Sequence, residues 1–184
     1  MSLVAASAED LKAGEHMELA DKKFLLLQPD SVVPASEKEG LKATLMAGIK
    51  EHKMSVFYED CCAALGWPVD KPLLDDMKKS NAEELEQLAE QLNNAEEMEG
   101  EVETMDARSA KAEFFFRIGD KTKAMEAIAE IPVESMSAGT KIDACLKYIR
   151  VGLFHLDTDI LKENIEKAKK LVAEGGDWER RNRL

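Results

Sequence analysis

At 184 residues the chain is long enough for one domain with its own core or for an arm of stacked helix pairs, and two independent globular domains are not expected. The net charge of −12 argues against nucleic acid and anionic membrane as partners, because a duplex binder needs clustered Lys and Arg to displace counterions from phosphates. Hydrophobic residues make up 45% and charged residues 34%, as in a soluble folded protein, while aromatics at 5% and only 5 prolines favour helix over sheet.

Residues 1–14 lack the basic start of a secretory signal and the arginines of a transit peptide, so a flexible N-terminus is expected there. No apolar run approaches transmembrane length. Cys61 and Cys62 are adjacent and Cys145 is far away, a set that cannot build a disulfide framework and that predicts a reducing compartment, cytoplasm or nucleus.

Apolar residues recur at helical spacing through nearly the whole chain, which predicts about eight helices and no sheet. The first spans 15–28, with Met17, Ala20, Phe24 and Leu27 on one stripe, and stops at Pro29. A loop rich in Ser and Pro leads to Ser36, which can cap the next helix and has capping-box spacing to Glu39. A helix over 41–49 comes next, then another from Met54 to Leu65, closed by Gly66-Trp67-Pro68 with Trp67 packing back as a staple. From residue 73 a longer helix runs into 96–99, with Leu74, Met77, Asn81, Leu85, Leu88, Leu92 and Ala95 at spacings of three and four. Its heptad-like seam is too short for a coiled coil, so one long helix laid along its own domain is expected. Charge concentrates there: residues 71–104 hold 11 acidic side chains against 3 lysines, or −8 of the −12. A solvated helical face is the plain reading and a docking stripe for a basic partner the sharper one.

In the C-terminal half, Ala112, Phe115, Gly119, Ala124 and Ile128 follow the order of a tetratricopeptide-type helix pair, in which small residues let two helices approach and large ones fill between them. Gly119 supplies the left-handed helix end and Asp120 the cap of the next helix. A second pair, 141–156 and 158–173, repeats the plan with Gly152, Leu153, Leu156, Ile165, Ala168 and Leu171, at an offset that is not the tetratricopeptide period of roughly 34 residues. Of the run Phe114-Phe115-Phe116, one or two rings are expected against a neighbouring helix and one at a groove edge. Gly175 and Gly176 close the last full helix, and Asp177 caps a further one that begins at Trp178, a candidate anchor, beside Arg180, Arg181 and Arg183. The chain ends about two turns into that helix, as a fragment of a longer protein would.

These elements define an all-α fold: N-terminal helices over 15–104 including the long acidic one, then antiparallel helical hairpins over 105–184 stacked as a tetratricopeptide-like right-handed superhelix. Catalytic groups do not converge in the sequence. His16, His52 and His155 are scattered without metal-ligand spacing, and Cys61-Cys62 lacks the two-residue gap of a zinc or redox pair and reads as core. Gly175-Gly176 follows a helix and precedes no Lys-Ser or Lys-Thr, so it is no phosphate loop. The sequence therefore predicts no enzyme, no cofactor, no metal and no small-molecule substrate.

Specific blocks carry a resemblance: Phe57-Tyr58-Glu59 with Leu65-Gly66-Trp67, Leu73-Leu74 with Met77-Lys78-Lys79, Ala110-Lys111-Ala112-Glu113 with Arg117-Ile118-Gly119-Asp120-Lys121, Ile149-Arg150-Val151-Gly152-Leu153-Phe154, and Glu174-Gly175-Gly176-Asp177-Trp178-Glu179-Arg180-Arg181-Asn182-Arg183-Leu184. With them the chain resembles the N-terminal half of the 26S proteasome non-ATPase regulatory subunit 6 family. The resemblance implies a non-catalytic scaffold of the regulatory-particle lid, a helical arm that precedes a PCI module absent from this chain. Implied partners are other lid subunits and the ATPase ring, and the implied role is support of ATP-dependent degradation of ubiquitinated proteins. A scaffold like the first subunit of the COP9 signalosome shares this architecture, and a free tetratricopeptide-like adaptor for peptides is the alternative of a different class. Such an adaptor needs basic and Asn residues lining a groove.

Overall fold

Helical periodicity becomes helix along the chain. The computed structural model describes residues 8–133 and 136–175, and among these it has eight α-helices and no strand: α1 (Ala8–Leu27), α2 (Ala35–Glu51), α3 (Ser55–Leu65), α4 (Lys71–Glu97), α5 (Glu101–Arg117), α6 (Lys121–Ala129), α7 (Ala138–Phe154) and α8 (Thr158–Gly175). Two compact units divide within α4, one up to Lys78 and one from Lys79.

In the first unit α1 pairs with α2 and α3 packs on both. Leu45, Ile49, Met54, Phe57, Tyr58, Cys61, Leu74 and Met77 fill its interior. The start of α2 differs from expectation. Ser36 is exposed within the first turn rather than capping it, because Pro34, with φ −57°, takes the cap position and opens the helix two residues earlier. The amides of Glu37 and Lys38 then donate to the Pro34 carbonyl. Trp67 is half-buried, with the Lys42 ammonium of α2 4.6 Å from its ring centroid. Asp70 opens α4: its Oδ1 accepts from the Leu73 amide, while its own amide donates to the Tyr58 hydroxyl at 2.9 Å.

The second unit holds the rest of α4 and two antiparallel hairpins, α5–α6 and α7–α8. Glu96 with Arg108 and Glu84 with Arg117 pair at 2.9 and 2.6 Å, so α4 lies antiparallel along α5. From the predicted seam, Asn81 and Ala95 are buried, and Leu85, Leu88 and Leu92 are half-buried. Both hairpin turns use the same device. Gly119 (φ 78°) and Leu156 (φ 53°) adopt the left-handed conformation, and the residue after each donates its amide back to the carbonyl of Phe115 or Gly152. Lys53 and Glu99 end α2 and α4 in the same conformation. Leu153 and Leu156, expected within the repeat pattern, are exposed instead: Leu156 occupies the turn itself, and Leu153 is 46% exposed beside it.

Candidate interaction site

With no catalytic constellation in the sequence, the candidate site is the surface that the hairpin unit builds, and its rigidity begins at α5. Phe114, Phe115 and Phe116 are all buried, which corrects the expectation of one ring at a groove edge. Successive rings on a helix point about 100° apart, so three can be buried only where helices surround α5. Arg117 stacks on Phe114 at 5.3 Å, Lys123 of α6 approaches Phe115 at 5.7 Å, and Phe116 meets Phe154 of α7 edge-on at 5.8 Å.

A charged cluster ties α5 to α7. Glu113 Oε1 accepts from Lys147 at 2.6 Å and from Arg150 at 3.2 Å, and the Arg150 guanidinium lies 4.6 Å from the Phe116 ring centroid. Burial pushes the Glu113 carboxyl up, but the two cations outweigh it and hold it below the usual carboxylate range. A second tie joins the hairpin turns: Lys121 donates to Asp157 at 2.5 Å, and Asp157 Oδ1 also accepts from the amides of Asp159 and Ile160. The Lys121 hydrogen bond, with those of the amides, lowers the Asp157 carboxyl.

The predicted site residues fall into three groups. Gly119, with φ 78°, lies at the turn between α5 and α6, and Asp120 Oδ1 accepts from the Lys123 amide at 3.0 Å. Gly152 is buried where α7 meets α8, and a Cβ there would stand 3.1 Å from Leu161. Trp67 belongs to the first unit. Gly176, Asp177, Trp178, Arg180 and Arg181 lie outside the described residues. Sequence reasoning missed Glu113 and Asp157. A lone carboxylate inside Ala110–Ile118, directly before the three Phe residues, was a readable signal for the first. The Leu156-Asp157-Thr158 echo of Gly119-Asp120 was obscured because Leu replaces Gly at the turn.

Some chemistry is muted by burial. Cys61, Cys62 and Cys145 are free and buried, and burial pushes the Cys61 thiol up to about 12. The His16 and His52 rings, separate in sequence, lie 4.6 Å apart. Among the described residues no group of His, Cys, Asp and Glu could hold a metal ion, and no helix is long and apolar enough to cross a membrane.

What this surface leaves to solvent is mostly acidic. Glu84 and Glu96 of α4 are taken up by α5, while Glu83, Glu86, Glu90 and Glu97 face outward. A comparison with known families decides where the chain belongs: the family described as 26S proteasome subunit RPN7 matches residues 70–184. The chain belongs to that family. Among its relatives is the 26S proteasome non-ATPase regulatory subunit 6 homolog of Arabidopsis thaliana, 42% identical over 92% of this chain and 43% of its own length. The rice protein, 26S proteasome non-ATPase regulatory subunit 6, is 39% identical over 96% of this chain and 45% of its own length. The Saccharomyces cerevisiae 26S proteasome regulatory subunit RPN7 is 30% identical over 90% of this chain and 43% of its own. The chain thus spans less than half the length of these curated relatives. The family match includes all four helices of the hairpins and the acidic α4.

Proposed function

We propose that this chain is a non-catalytic assembly arm of the 26S proteasome regulatory particle lid, supporting ATP-dependent degradation of ubiquitinated proteins in cytoplasm and nucleus. The observation that carries the reading is the family match over the hairpin unit, whose helices are fixed to one another by Glu113 and by the Lys121–Asp157 tie. A rigid stack of pairs suits an assembly role because it offers a long surface on which a few buried anchors can supply the binding energy while charged faces steer the encounter. Other lid subunits and the ATPase ring are the proposed partners, with no nucleic acid, membrane or small-molecule substrate. In this reading the N-terminal helices run to residue 104, with α1 beginning at Ala8 rather than at the expected residue 15, and the hairpins from 105 onward stack as a right-handed superhelix.

The test is to tag the full-length parent protein and purify it gently in the presence of ATP. Recovery of lid subunits and ATPases supports the proposal. Recovery of signalosome subunits alone moves the assignment to the paralogous scaffold. Turnover of a small substrate by the pure chain, with no partner recovered, overthrows it.

A further inference from the structure

Helix α6 has 9 residues and α8 has 18, so the second hairpin overhangs the first beyond the end of α6. Beneath the overhang lies an open groove of about 660 Å³, between the end of α6, the first half of α7 and the second half of α8. That volume is within the range of roughly 300–1,000 Å³ typical of ligand sites. Its floor is apolar, including Ile131, Tyr148 and Leu171, and Tyr148 is held in place by its hydroxyl on the Met125 carbonyl. Its rim carries Lys141, Lys167 and Lys170 against one carboxylate, Glu174.

A basic rim is out of keeping with a chain of net charge −12. Lys167 pairs with Glu163 at 2.7 Å, so its charge is partly offset and Lys141 and Lys170 carry most of the rim's positive field. Asn164 donates to the Ile160 carbonyl and closes the inner wall.

We propose that this groove is a docking site for an acidic peptide segment that carries apolar side chains. The floor takes the apolar side chains and the three ammonium groups meet the carboxylates. Among the described residues the exposed carboxylates of α4 repel the same peptide, so the molecule's own field favours this groove over that face. A basic peptide meets the reverse arrangement. The chemistry of the groove does not depend on which assembly the arm serves.

The probe is a fluorescein-labelled dodecapeptide of alternating Glu-Leu and Asp-Phe pairs, compared with its counterpart in which every acid is Lys, by fluorescence anisotropy on the intact chain. The acidic peptide is expected to bind at least tenfold tighter, with affinity falling as salt rises. The triple variant Lys141→Glu, Lys167→Glu, Lys170→Glu should lose at least tenfold, whereas the matched triple Lys50→Glu, Lys71→Glu, Lys162→Glu, which changes net charge equally off the groove, should lose less than threefold. Should the first triple melt early, Lys170→Glu alone, at an exposed position of α8, is expected to cost about threefold. Equal loss in the two triples, equal binding of the two peptides, or a groove triple that binds like the parent chain overturns the proposal. Dimerisation that rises with protein concentration and excludes the peptide overturns it too, by making a second copy the occupant.

Discussion

Two glycines inside helices make opposite demands, and alanine tells them apart. Replacing a helix-interior Gly by Ala relieves about 0.8–1 kcal/mol of propensity cost. At Gly40 of α2 a Cβ would meet nothing within 4 Å, so Gly40→Ala should realise that gain in full. At Gly152 of α7 the same Cβ would stand 3.1 Å from Leu161 Cδ2 and Cγ and 3.2 Å from Ile160 Cγ2. Both neighbours sit on α8, where making room means sliding side chains that fill the helix contact. Overpacking of that kind costs about 1–3 kcal/mol, which cancels or outweighs the propensity gain. Gly152→Ala should therefore be neutral to about 2 kcal/mol destabilising, and Gly152→Val, with two more methyl groups and a weaker helix propensity, worse by about 1 kcal/mol or more. Urea denaturation followed by circular dichroism, with the m-value checked for constancy, reads these differences directly. If Gly152→Ala gains as much stability as Gly40→Ala, then close approach of α7 and α8 is not what requires the glycine, and the packing argument fails.

Three further outcomes are expected. Gly119→Val should cost about 1 kcal/mol or more, since φ 78° suits only glycine well, and a melting temperature unchanged from the parent would contradict the hinge. Glu113 has its folded pKa held below the ordinary value of 4.5, so the stability it contributes is present above that value and is lost as pH falls through it toward the depressed folded pKa. Glu113→Gln should accordingly flatten the acid side of the stability profile and cost about 1–2 kcal/mol at pH 7, a figure reduced for a carboxylate that is 39% exposed, and an unaltered profile would sink the assignment. With the Cys61 thiol pushed up to about 12 and all three cysteines buried, a disulfide-exchange reagent at pH 8 should label the native chain far more slowly than the urea-unfolded chain, and matching rates would refute the burial.

The helices were legible because period and punctuation agree: Gly66 and Gly119 end helices, Asp120 caps one, and the apolar stripe of α4 is regular. Where they disagree, reading failed. Ser36 looked like a cap but Pro34 fixes the backbone first. The break between residues 156 and 158 was legible, but not that Leu156 makes it in the left-handed conformation usually left to glycine. The three Phe rings were misjudged because a sequence shows which side chains share a stripe but not how many helices surround it. For long-range ion pairs the sequence can flag one member, as the lone carboxylate Glu113 beside three Phe residues, but not its partners Lys147 and Arg150, which lie more than thirty residues away. The groove under the α8 overhang depends on two helix lengths and a loop path, none of which periodicity ranks.

Helices α5 and α7 run side by side in the same direction, and both bonds between their charged side chains end on one oxygen of Glu113. The two are therefore not independent fasteners. A force that slides α7 along α5 loads them in parallel, and a single proton on that carboxylate weakens both together. In mechanical terms the joint is a shared pin: it resists shear as a pair and yields as one, after which the Lys121–Asp157 tie and the Phe116–Phe154 contact carry the load between the two hairpins.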